Sequence, residues 1–255
     1  MSQPSERAST TSGSWFYVWY AVAINLFVLV AFAPSYWLQL PAGTVIAGSG
    51  LHFHAFLFAA WPLLFLLQSW FVATGRIRRH RAWGLLGIAL ATAMLFSGVD
   101  SSFREMKHGL SQGETTAIQF ALGPIIWILV FAGLFTAAII KVANKEAHKR
   151  LILLATVAIM PASVGHVFFS ILVGDGPGIR PGLHGDAPIF ILALFPVIAD
   201  LLLILPAIIY DWRTRGRPHV VYIMGGTIMI LVHLSIVPLS ATNAWQAIAK
   251  AMTGL

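Results

Sequence analysis

Nine histidines and nine acidic residues are scattered through a chain whose other side chains are overwhelmingly apolar. Their types and spacing allow three kinds of chemistry. An outer set comprises His54, Asp100, His166 and His233, with His52, His108, Asp175, His184 and Asp186 in adjoining loops. Three imidazoles with a carboxylate to orient a water are what a zinc site, or another divalent-metal site, requires. An inner set comprises His80, His148, Asp211 and His219 among many arginines. Imidazoles at both ends of one bundle suit a b-type heme at each face, with His54, His80, His148, His166 and His233 as candidate axial ligands. Between the two sets lie Asp200 and Gln68. An acid far from water must be protonated, paired or hydrated, so Asp200 is a candidate proton carrier and Gln68 a polar neighbour on its path.

The elements that must position these groups are membrane helices. Hydrophobic residues make up 58% of the chain and charged ones 10%, against about 25% charge in an ordinary soluble domain. A spanning helix needs roughly 20 mostly apolar residues. Seven such runs are present, at 15–34, 53–73, 83–100, 118–140, 151–172, 187–210 and 220–240. None alternates strictly, so a membrane β-barrel is excluded. The expectation is all-α: one bundle of about seven transmembrane helices over 15–255, preceded by a disordered tail at 1–14.

Charge sets the orientation. Of sixteen Lys and Arg, twelve fall in the tail or in the loops after the second, fourth and sixth runs; only Arg104, Lys107, Arg180 and Lys250 fall on the other side. Positive loops stay cytoplasmic, so the N-terminus is expected inside, the C-terminus outside, and the basic loops against anionic lipid headgroups. The net charge of +7 is therefore a membrane feature and not a nucleic-acid footprint. There is no cysteine, which excludes disulfides and thiolate metal sites. No lysine lies in the seventh run, so a retinal Schiff base is not expected.

Helical geometry places the polar groups in depth. His54, Trp61 and Gln68 recur every seven residues and share one face to within roughly 40°. His52 is about 200° around from His54, so a helix carrying both cannot direct both inward. His148 and His166 are eighteen residues apart, five turns and about 27 Å along one face if their helix is continuous. Asp200 and Asp211 are again nearly in line, in a run carrying Pro188, Pro196 and Pro206. Asp211 is expected to pair with Arg213 or Arg215. "IMGGT" at 223–227 suits close helix packing. "GDGPGIRPGLHGDAP" at 174–188 is expected to cap the outer set.

The ordered motifs "HFHAFLFAAWPLLFLLQ", "GRIRRHRAWGLLG", "HKRLILLAT" and "YDWRTRGRPH" resemble a family of uncharacterised multi-pass bacterial inner-membrane proteins, over most of the chain after residue 50. That resemblance implies a location in the bacterial cytoplasmic membrane and no particular chemistry. More loosely, a His opening one span outside and a His-Arg opening the next inside is similar to diheme transmembrane b cytochromes reduced by ascorbate. That likeness implies His54 as an outer ligand, His80 as an inner one and His148 as its partner, with His166 or His233 completing the outer pair.

Four functions therefore remain open. They are a heme-binding redox protein that exchanges electrons with a quinone, and a metal-dependent intramembrane hydrolase resembling the seven-span receptors and ceramidases that hold zinc. The other two are a proton-coupled transporter using Asp200, and a non-catalytic scaffold or assembly factor.

Overall fold

The computed structural model describes residues 4–45, 48–168 and 189–254; the outer loop at 174–188, with Asp175, Arg180, His184, Asp186 and Pro188, lies outside them. Among the described residues every regular element is helical. Five helices are long and apolar enough to cross a membrane: α3 (Ser49–Ala73), α4 (Ile77–Ser111), α5 (Ala117–Ile140), α8 (Ile191–Arg215) and α9 (Val220–Ser240). Two bent pairs raise the number of crossings to seven if each pair is one span.

The first pair joins α1 (Pro4–Ala31), whose apolar part is Trp15–Ala31, to a π-helical turn (Ala33–Trp37) and α2 (Gln39–Ala42), with a bend of 50°. Pro34 causes the break, because it brings no N–H and its ring crowds the preceding turn. The chain then closes wider turns, Trp37 N–H donating to Phe32 O at 3.1 Å and Leu38 N–H to Ala33 O at 3.0 Å. At its other end α1 runs back through the polar stretch to Pro4, since extending a nucleated helix fixes one residue per added bond.

The second pair joins α6 (Lys145–Ala158) to α7 (Pro161–Val167) with a bend of 42°. Pro161 opens α7 at a position where its missing N–H is harmless. His148 and His166 therefore do not lie on one continuous stripe, which corrects the five-turn expectation.

Two further boundaries differ from the hydropathy reading. The third span was expected over 83–100, but α4 starts among the arginines at Ile77 and continues to Ser111. Hydropathy marks where lipid ends, whereas a helix goes on while its residues tolerate helical backbone. Beyond the last span lies α10 (Asn243–Thr253), capped by the Thr242 side chain accepting from Trp245 N–H at 3.3 Å. Its inner face buries Trp245 and Ala249, and Trp245 Nε1–H donates to Ile118 O at 2.8 Å. The opposite face exposes Ile248 and Met252, as on an amphipathic interfacial helix.

The bundle is centred on α6, where Leu153, Leu154, Ala155, Val157 and Ala158 are wholly buried. Around it stand α5, α8 and α9, with α1, α3 and α4 forming the other side. Close approach is set by small residues: Gly98 of α4 lies against Ile128 and Phe58, and Gly225 of α9 against Leu154. The α3–α4 and α8–α9 connections are tight because Gly75 and Gly216 adopt φ of +71° and +73°, where a side chain would strain the backbone.

Candidate functional site

Three polar assemblies occupy three depths. The inner one is built around Arg150, which is 1% exposed near the start of α6. Its Nε donates to Asp211 Oδ2 at 2.8 Å and its Nη2 to Asp211 Oδ1, a two-pronged contact to a carboxylate that is itself fully buried. Its Nη1 donates to Glu146 O at 2.9 Å and to Glu146 Oε2 at 2.6 Å. His219 N–H donates to Asp211 Oδ2 at 3.0 Å, and Arg215 reaches Glu146. Arg150 also stands over the Tyr222 ring at 5.6 Å, and Tyr222 shares a hydrogen bond of 3.1 Å with Tyr17 of α1.

One guanidinium thus ties α6 to α8 and, through its neighbours, to α9 and α1. Asp211 pairs with Arg150 and not with Arg213 or Arg215, because its side chain faces inward and those two arginines are exposed. The Glu146-x-x-x-Arg150 spacing was the available sequence signal, since residues four apart share a helix face. His219 lies in the connection ahead of α9, where its Nδ1 accepts from Val221 N–H at 3.2 Å. Partial burial, and then the charges of Arg150 and Arg215, hold its imidazole below the ordinary value of 6.5.

Near the same end, the rings of His80 (α4) and His148 (α6) meet edge to face with centroids 6.3 Å apart. His148 Nδ1 bonds Ala138 O at 2.9 Å. Gln68 of α3 lies close by, its Nε2 3.9 Å from where a Cβ on Gly84 would sit, and its Oε1 is buried without a partner.

The middle assembly is a pair. Asp200 of α8 and His233 of α9 are both 0% exposed, with Oδ2 2.9 Å from Nδ1. The approach is close but not aligned as a hydrogen bond, and neither Asp200 Oδ1 nor His233 Nε2 has a hydrogen-bond partner. Asp200 and Gln68 go to different neighbours: Gln68 of α3 lies beside Gly84 of α4, whereas Asp200 of α8 meets His233 of α9.

The outer assembly lines a cavity of about 410 Å³ between the two bent pairs, α3, α4, α5 and α8. His54 and His166 both reach it, but each ring has its own anchor. His54 Nδ1 bonds Ser97 Oγ at 3.2 Å, and His166 Nδ1 bonds Ser35 Oγ at 3.0 Å. His52, on the same helix as His54, turns instead to Tyr36 OH at 2.8 Å, as their two-residue spacing requires. Asp100 is exposed and pairs with Arg104 at 2.6 Å.

His54, Asp100, His166 and His233 go to four different partners, and among the described residues no group of three His, Asp or Glu side chains could hold a metal ion. Of the outer histidines among the described residues, His54 and His166 border one cavity and His233 stands against Asp200.

Comparison with protein-family models, with curated proteins and with solved structures found no match to this chain.

Proposed function

We propose that this protein is a proton-coupled membrane transporter in which Asp200 and His233 form the protonatable centre. The observation that carries the reading is the pair itself: two titratable side chains, fully buried on adjacent helices, 2.9 Å apart, each with a second polar atom left without a partner. Such groups in a membrane interior are costly and characteristically serve ion or proton pathways. The pair takes up a proton by passing from a net negative to a neutral site, and that change of buried charge biases any motion that admits water. The surrounding helices are suited to such motion. Pro196 and Pro206 lie inside α8 and Pro238 inside α9, each removing a backbone hydrogen bond from a helix that continues, and two other spans are bent, as in transporters built from discontinuous helices.

The His80–His148 contact, the Arg150–Asp211 and Arg215–Glu146 pairs and the Tyr17–Tyr222 bond bring the three basic connections and the start of the first span to one end. With that end cytoplasmic and each bent pair counted as one crossing, the protein is a seven-span protein of the bacterial inner membrane with its C-terminus outside and its arginines against anionic headgroups.

The test uses proteoliposomes loaded with a pH-sensitive dye, an imposed membrane potential and a panel of amino acids, organic acids, amines and sugars. Wild type should acidify the lumen, and Asp200→Asn and His233→Gln should lower the initial rate at least about tenfold, the loss ascribed to a missing proton-transfer group. Both variants should elute as the wild type does. Undiminished proton entry in folded Asp200→Asn would sink the proposal, as would a wild type inert to the whole panel.

A further inference from the structure

We propose that the outer cavity is a binding site for a planar ring bearing two carbonyl oxygens, the quinone class. The inference rests on groups other than Asp200 and His233 and stands whether or not that pair carries protons.

Two indole donors point to it. Trp37 lies on the π-helical turn of the first bent span and Trp127 on α5; both line the cavity, and Nε1 of each is buried with no hydrogen-bond partner. Buried donors are nearly always satisfied, and leaving one unmade is expensive. Two such donors on elements that approach the same space call for a ligand with two acceptors. Irregular helical turns of the kind that carries Trp37 recur at functional sites.

The walls suit a flat ring. Phe58 stacks on His54 with centroids 4.2 Å apart, and Phe32 lies against His166 at 4.3 Å. Phe120 and Phe195 complete an aromatic lining, and about 410 Å³ falls within the roughly 300–1,000 Å³ of small-molecule pockets. Serine anchors on Nδ1 leave Nε2 of His54 and of His166 available to a ligand oxygen.

Charge selects among acceptor-bearing molecules. Among the described residues no Lys or Arg lines the cavity, while Glu105 and Glu114 do. A phosphate or carboxylate would find no compensating cation among those residues. A cationic amine would suit the negative charge of the glutamates but leave both indole N–H groups unmade. A neutral dicarbonyl ring fits both facts.

The experiment is calorimetric titration of the full chain in lipid nanodiscs with menadione (2-methyl-1,4-naphthoquinone). The controls are 2-methylnaphthalene, the same ring without oxygens, and benzyltrimethylammonium. Wild type should show one saturable menadione site, with 2-methylnaphthalene at least about tenfold weaker, as expected when two hydrogen bonds are lost. Trp37→Phe and Trp127→Phe, which keep an aromatic wall, should each raise Kd about fivefold. Any one of three results would overturn the proposal: no saturable site, 2-methylnaphthalene or the ammonium binding as tightly as menadione, or folded Trp→Phe variants with unchanged Kd. Should either variant fail to fold, the menadione-to-2-methylnaphthalene ratio on wild type decides the matter alone.

Discussion

Replacing Asp211 with Asn isolates what holds the inner end of the bundle together. The side chain keeps its shape but loses its charge, so Arg150, 1% exposed, keeps a full positive charge and loses its two-pronged carboxylate partner. Removing one member of a buried ion pair costs about 3–5 kcal/mol, mostly the penalty of the stranded charge. Glu146 still touches Arg150 at 2.6 Å, but its side chain is 40% exposed and its attraction is screened, so the lower end, about 3 kcal/mol, is expected. At about 2–4 °C per kcal/mol for a chain of this size, thermal unfolding in detergent should fall by roughly 6–12 °C. The double variant Arg150→Met/Asp211→Leu removes both charges together and should lie within about 1 kcal/mol of wild type, because an apolar replacement of a buried pair is often neutral. The single variants Arg150→Met and Asp211→Leu and the double form a cycle whose non-additivity measures the pairing. An Asp211→Asn shift under about 2 °C, or a double variant as unstable as the sum of the singles, would refute the reasoning and leave the pair a bystander.

Other perturbations probe the remaining contacts. Gly225→Ala would drive a methyl group into Leu154 Cδ1 on the central helix, and overpacking of that kind should cost about 1–3 kcal/mol in the same thermal assay. His219 bears on pH. Because its folded imidazole is held below 6.5, the folded state favours the neutral ring, whose stabilising contribution is complete above that value and is lost as pH falls toward the folded value. Unfolding temperature should therefore drop between about pH 7 and pH 5, and His219→Asn, which caps α9 without titrating, should flatten part of that drop. Unchanged pH profiles would dismiss the histidine. Trp245→Phe leaves Ile118 O without its donor and should loosen α10 by about 1 kcal/mol, seen as faster cleavage of the C-terminal segment by added protease.

The apolar runs and their lengths were legible in the residues alone, because a bilayer demands about 20 apolar residues per crossing whatever the neighbours are. Depth was legible for the same reason: a rise of about 1.5 Å per residue places Asp200 deep in its span and His54 near one mouth before any packing is known. Proline explained both broken spans once they were seen, but Pro62, Pro124, Pro196 and Pro206 sit inside helices that continue. A proline in the string therefore marks only a possible break, and the packing around it decides. The inner edge of α4 was misplaced because hydropathy reports lipid contact and not backbone geometry.

What only the tertiary structure decided is which side chains meet. Azimuth around a helix follows from its own sequence, but the neighbour it faces depends on the order of helices in the bundle. Hence Asp200 could be placed deep in its span, whereas its neighbour His233 was grouped with the outer set, and of that set His54 and His166 border one cavity while Asp100 stands exposed beside Arg104. Arg150 shows the same limit from the other direction. In the string it is one of four basic residues in a loop, and it becomes the buried centre of the inner end only because Asp211, sixty-one residues later, is carried to it by α8. Charge composition sorts residues to a membrane face through bulk electrostatics, whereas pairing a buried charge needs atoms within about 3 Å, a condition that only the packed bundle sets.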